Sequence, residues 1–141
     1  MVRKLSVFDK LVKKISHQYP LEIYNSYRFH CQRLSYEQMI KETSNVPLAS
    51  NQFPTIHTGW DNTPRSGTRG RVFYDFTSEL FGEHCRKVLS LIKNRNDGFC
   101  FIKSWNEWAE GNYLEPDERF GIEKLTEFKD AVAELNINGG G

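Results

Sequence analysis

The run Phe99-Cys100-Phe101-Ile102 constrains the fold more than any other stretch of the chain. Four apolar residues follow one another without the polar alternation of a half-exposed strand. Asn96-Asp97-Gly98 supplies a turn before them, and a polar loop opens at Ser104. A short, continuous apolar run between such boundaries reads as a strand buried on both faces, the habit of parallel sheets. A second strand is predicted from Phe53 to His57, opened by Pro54 and closed by Gly59. Between the two, Thr77 or Ser78 caps a helix reaching about Lys93, with Leu80, Phe81, Cys85, Val88, Leu89 and Ile92 on its inner side. Strand, helix, strand is the minimal parallel unit.

The remaining elements extend the alternation. Leu5, Phe8, Leu11 or Val12, and Ile15 recur at helical spacing among Lys4, Lys10, Lys13 and Lys14, which predicts an amphipathic surface helix ended by Pro20. Leu21 to Tyr24 reads as a short strand. Ser35 caps a helix over Tyr36 to Lys41, with Glu37 in its first turn. A last helix runs from about Arg119 to Leu135, with Ile122, Leu125, Phe128, Val132 and Leu135 inward, before a frayed Gly-rich tail, Asn138 to Gly141. The fold class is α/β, with about three βα units in one unit spanning residues 1–141. A complete eightfold barrel typically takes ~250 residues. The chain is therefore either a small open sheet or the C-terminal portion of a (β/α)8 TIM-type barrel, incomplete by itself.

Composition removes several function classes. Basic and acidic residues balance at 19 against 18, so no nucleic-acid partner is expected. Cys31, Cys85 and Cys100 are odd in number and lack paired spacing, which argues against a disulfide framework or a zinc motif. No run approaches the ~20 apolar residues of a membrane span, and the Lys-rich start lacks a signal-peptide core. The expected location is the cytoplasm. No nucleotide-phosphate loop is visible. His57, Asp61 and Glu107 stand on separate elements without ligand spacing, so neither cofactor nor metal is expected.

The aromatic content is the unusual part, and all three Trp lie in polar, loop-like stretches. Two such loops follow the two best strands directly, at the sheet edge where active sites of parallel α/β proteins collect. The first offers Trp60, Asp61, Asn62 and Arg65; the second offers Trp105, Asn106, Glu107, Trp108, Glu110, Tyr113, Glu115 and Asp117. If the chain turns helically there, Glu107 and Glu110 share a face, and proximity raises the pKa of one. An acid and a base across one bond is the equipment of glycosidic chemistry. Trp faces suit the apolar faces of sugar rings, Asn106 suits a sugar hydroxyl, and Gly111 permits a sharp turn. The same residues also fit a solvated acidic rim with aromatics plugging a barrel end, and Asp61 with Arg65 a structural ion pair.

Gly59-Trp60-Asp61-Asn62-Thr63-Pro64-Arg65, then Ser104-Trp105-Asn106-Glu107-Trp108-Ala109-Glu110-Gly111-Asn112-Tyr113-Leu114-Glu115-Pro116-Asp117, then Phe120-Gly121, closely resembles the WbsX-like family. The likeness is best over residues 36–135. The resemblance implies a glycosyltransferase or glycan-processing enzyme of bacterial surface polysaccharide and lipopolysaccharide O-antigen biosynthesis, with a glycan or glycan-lipid substrate. The family is similar in turn to family-99 glycoside hydrolases, endo-α-mannosidase-like (β/α) barrels. That likeness carries two catalytic glutamates onto Glu107, as base toward the sugar's own 2-hydroxyl, and Glu110, as general acid. It also implies substrate contacts at Trp60, Asp61, Asn62, Arg65, Trp105, Asn106, Trp108, Tyr113 and Glu115. Ala109 stands where those hydrolases usually carry His, a departure from the mannosidase pattern. A whole barrel is required by the resemblance, so a truncated or split product, completed by an N-terminal half, is expected. Two alternatives stand beside the transferase reading: an endo-acting α-mannosidase-like hydrolase, and an inactive barrel fragment that at most binds glycans.

Overall fold

A computed structural model describes residues 31–44, 47–95 and 98–137. The helix expected at Leu5 to Ile15, the strand at Leu21 to Tyr24, the tail from Asn138 and most of the Asn96-Asp97-Gly98 turn lie outside the described residues.

Chain order is β1 (Gln32–Leu34), α1 (Tyr36–Ser44), β2 (Thr55–His57), a one-turn helix α2 (Thr63–Ser66), a 3-10 turn (Gly67–Arg69), β3 (Arg71–Phe73), α3 (Ser78–Ile92), β4 (Phe101–Lys103), β5 (Asn106–Glu107), a 3-10 turn (Trp108–Glu110), β6 (Asn112–Tyr113) and α4 (Glu123–Ile137). The strands pair in twos: β1 with β3 and β2 with β4, both parallel, and β5 with β6 antiparallel. The result is a mixed α/β arrangement of short elements, with no closed barrel among the described residues.

The parallel neighbourhood of the two best strands is present, with Ile56 opposite Ile102 and His57 opposite Lys103. Their burial differs from expectation. Ile56 is fully enclosed, whereas Phe101 is 56% and Ile102 36% exposed, and Phe99 is open to solvent. Apolar composition requires cover that the described residues supply only to β2. Helix α3 lies over β2, and α4 packs on α3 rather than over β4.

Helix starts follow side-chain caps. The Thr77 hydroxyl accepts from Leu80 N, and the Ser35 hydroxyl accepts from Gln38 N while donating to Asp75, which also receives Tyr36 N. Helix α3 buries Phe81, Cys85, Val88, Leu89 and Ile92 as expected, with Leu80 half-buried, and adds His84. Phe81, Cys85, Val88, Leu89 and Ile92 join Tyr36, Ile40, Ile56, Phe76, Leu114 and Ala131 in one core. Helix α4 begins at Glu123, later than predicted. Asp117 Oδ1 accepts from Arg119 N and Phe120 N, making a turn that closes at Gly121 (φ 54°) before the helix starts. Ile122 therefore points to solvent, at 66% exposure, and Lys124 takes an interior position.

Candidate active site

Parallel pairing of β2 with β4 sends both Trp-bearing loops out at the same end. The Thr58 hydroxyl donates to Lys103 O at 3.0 Å, and Ser104 N donates back to that hydroxyl at 3.1 Å. Further out, Asp61 N donates to Glu110 O at 2.8 Å, and Asn112 Nδ2 donates to Gly59 O at 2.9 Å. Gly111 makes the close approach possible. It sits at φ 57°, ψ 30°, and a Cβ there would lie 2.8 Å from Asp61 N.

The glutamates do not share a helical face. Glu107 lies in β5 opposite Asn112, and Glu110 ends the 3-10 turn that links β5 to β6. A hairpin replaces the helix because the Ser104 hydroxyl accepts from Glu107 N and donates to Asn112 O, holding the strands together at their base. The half-buried Glu110 carboxylate has Arg65 at 3.7 Å and Lys103 at 3.8 Å, loose ion pairs from two other segments. The Glu107 side chain has no hydrogen-bond or ion-pair partner among the described residues.

Around them the aromatics are ordered by contacts. Trp108 stacks on Tyr113, with centroids 3.9 Å apart and planes 17° apart, and its Nε1 donates to Glu115 Oε2 at 2.8 Å. Trp108 nevertheless remains 49% exposed, and Trp105 is comparably open. Lys103 Nζ lies 5.5 Å from the centre of the Trp60 ring, whose buried Nε1 meets no acceptor among the described residues. Beside the stack, a cavity of about 660 Å³ is lined by Trp108, Tyr113, Pro116, Asp117, Glu118 and Arg119.

Other expected site residues have local tasks. Asp61 Oδ1 accepts from Thr63 N and the Thr63 hydroxyl, closing the turn that leads into α2. Arg65 accordingly reaches Glu110, not Asp61, which corrects the ion-pair expectation. Asn62 brackets Arg71 through two bonds, its N–H donating to Arg71 O and its Oδ1 receiving Arg71 N. Trp105 O accepts from both Leu114 N and Glu115 N, while Asn106 is exposed opposite Tyr113. Lys103, Ser104 and Lys124 belong to the site region and were missed. Ser104 opens the recognisable motif and Lys103 precedes it, so both were within reach; nothing in the pattern marks Lys124 as interior.

A second polar cluster lies behind β2. The Tyr36 hydroxyl donates to His57 O at 2.5 Å and sits 2.8 Å from His84 Nδ1. Burial holds His84 down at about 4, helped by His57 nearby. Burial and Lys103 also lower His57.

The profile of the family described as Glycosyltransferase WbsX matches residues 2–128. Among curated relatives, the uncharacterized protein WxcX of Xanthomonas campestris pv. campestris is 31% identical over 103 residues, which is 70% of this chain and 15% of the relative. WxcX of strain B100 is 31% identical over 101 residues, 69% of this chain and 14% of its own length. The chain thus spans only a small part of the relatives it matches. No solved structure matches it. No helix among the described residues is long and apolar enough to cross a membrane. By the extent of the profile match and the identity to WxcX, the chain belongs to the WbsX glycosyltransferase family.

Proposed function

We propose that this chain is the C-terminal βα portion of a barrel-type enzyme acting on surface-polysaccharide glycans, with Glu107 and Glu110 carrying the chemistry. The supporting observation is the junction of the two motif loops. Asp61 N bonded to Glu110 O brings Arg65, Lys103 and both glutamates to one end of the β2–β4 pair, beside an exposed Trp108 face. That combination of paired carboxylates and an aromatic platform suits a pyranose with an acetal bond to break.

In this proposal Glu107 takes the proton of the sugar's 2-hydroxyl, and the freed oxygen attacks the anomeric carbon. Glu110 gives its proton to the departing glycosidic oxygen as that bond breaks. The Glu110 carboxylate left behind then takes a proton from the acceptor hydroxyl, whose oxygen bonds the anomeric carbon as the bond from that carbon to the 2-oxygen breaks. The 2-oxygen recovers its proton from Glu107. Water as acceptor gives hydrolysis, and a second glycan gives transfer. Arg65 and Lys103 lie where they attract the charge that appears on Glu110.

A second reading, a fragment that binds glycans without turning them over, is favoured by the bare β4 strand. The test assembles this chain with the N-terminal portion of a WbsX relative and follows O-antigen glycan turnover. Glu107→Gln and Glu110→Gln should each lose ~10²-fold or more while still binding. Turnover unchanged in both variants would end the catalytic assignment. Binding without turnover in the wild type would leave the fragment reading.

A further inference from the structure

Lys124, second residue of α4, is 1% exposed, although lysine is among the last side chains to leave water without a partner. Its partners are specific. Nζ donates to Tyr113 O at 2.8 Å and stands 3.1 Å from Asp117 Oδ2. It also lies 3.8 Å from the centre of the Tyr113 ring and 5.3 Å from that of Phe120. Asp117 is itself fixed, because its other carboxylate oxygen holds Arg119 N and Phe120 N.

Tyr113 carries a second neighbour at nearly the same distance, the Trp108 indole stacked at 3.9 Å. An ammonium and an indole cannot both occupy one face of a ring at that separation. Tyr113 is therefore sandwiched, with Lys124 beneath and Trp108 above. The Trp108 Nε1 bond to Glu115 fixes the remaining rotation of the indole. Tyr113 also stands opposite Asn106 in the hairpin, next to the Glu107–Asn112 pair. A displacement at Lys124 thus reaches both the platform and the strand bearing Glu107.

The geometry points to Lys124 as a positioning residue, its ammonium on one face of Tyr113 setting the tilt of Trp108 on the other. The purpose of that tilt rests on the glycan reading above; the clamp does not. Filling space does not require a charge. Methionine has a similar unbranched stem and packs adaptably in cores, and buried ion pairs often gain little over apolar residues of similar volume. What methionine lacks is the bond to Tyr113 O and the cation–π attraction. Burial pulls the Lys124 ammonium below the ordinary lysine range against the opposing pull of Asp117, with Arg119 adding to the lowering. Tyr113 is raised by burial and by Asp117.

The test uses the chain without any sugar, so its outcome is independent of the glycan reading. Near-ultraviolet circular dichroism reads the stacked Trp–Tyr pair, and carbon-labelled lysine NMR reads the Lys124 charge, assigned by its disappearance in Lys124→Arg. In the wild type, the stack signal should fall reversibly as the Lys124 resonance titrates, below the ordinary ~10.4 of lysine. Lys124→Met should lack the stack signal at every pH with its far-ultraviolet spectrum unchanged, and Lys124→Arg should keep it to higher pH. A stack signal retained in Lys124→Met, or one unmoved while Lys124 loses its proton, overturns the proposal. If Lys124→Met does not fold, the wild-type and Lys124→Arg titrations decide the matter alone.

Discussion

The hydroxyl of Tyr36 lies 2.8 Å from Nδ1 of His84 while pointing its proton at the carbonyl of His57, 2.5 Å away. A hydroxyl has one proton, and two unprotonated oxygens would repel at that distance. Tyr36 therefore donates to His57 O, and His84 carries its hydrogen on Nδ1 and donates to Tyr36. The three residues come from α1, β2 and α3, so this relay ties the helices to the strand that launches the first motif loop.

Acid should destabilise the fold at this cluster, by putting a charge on a buried ring. His84 is held at about 4 in the fold, below the ~6.5 of an unfolded histidine. The unfolded chain therefore binds the proton first as pH falls. The stabilisation is complete above pH ~6.5, declines between there and about 4, and is gone below; it amounts to about 3 kcal/mol. His57, also lowered, acts in the same direction. Thermal melts at stepped pH should show the decline, and His84→Gln should flatten most of it. A melting temperature constant from pH 7 to 4 in the wild type would contradict the assignment.

Gly111→Ala should injure the site more than the fold. The residue has a left-handed backbone, and its new methyl would meet Asp61 N at 2.8 Å and Asp61 O at 3.0 Å. The conformation alone costs about 1–2 kcal/mol. The clash should also break the Asp61 N bond to Glu110 O, separating the loops. Urea unfolding measures the first effect, and glycan binding the second. Equal stability with equal binding would show that the close approach is dispensable.

The two glutamates can be told apart by leaving group. In the assembly with the N-terminal portion of a WbsX relative, Glu110→Gln should recover much of its rate on substrates that leave without protonation, such as glycosyl fluorides. Glu107→Gln should not recover, because the 2-hydroxyl still lacks its base. Rescue of Glu107→Gln alone would exchange the two roles.

The bare strand should be sticky. Phe99, Phe101 and Ile102 are exposed on a parallel pair, an arrangement ordinarily covered on both faces. The isolated chain should bind a hydrophobic dye, less so as Phe101→Lys, and the N-terminal portion of a WbsX relative should displace the dye. No dye binding by the wild-type chain would mean that this surface is covered.

The legible parts of this chain were those where one residue type carries one physical signal. Thr77 and Ser35 announced their helices because a hydroxyl at that position can satisfy a free backbone N–H. The inward row of α3 and the β2–β4 neighbourhood followed from apolar spacing. Strands β1 and β3 did not, since each is three residues long and Gln32, Arg33 and Arg71 are exposed, leaving Phe73 to meet the core without a periodic apolar pattern. The membership of the site was readable from its motifs, but its geometry was not. The hairpin bearing Glu107 and Glu110 depends on Ser104 bonding across to Asn112, a contact that no periodicity encodes. Lys124 was missed for a related reason, because its interior position is decided by Asp117 and Tyr113 in another segment.

The pairing of Thr58 with Lys103 spans 45 residues of chain, and that separation has a kinetic meaning. Closing so large a loop must precede any reward from the strand contacts it makes. Helix α3 lies wholly within the loop and can form from local contacts, shortening the effective search. The hairpin with both glutamates can likewise close early, within its own few residues. What must come late is the meeting of that hairpin with the Trp60 loop. The two halves of the site are thus made separately and joined last, and a chain arrested before that step would hold both candidate glutamates on their hairpin but apart from Trp60, Asp61 and Arg65.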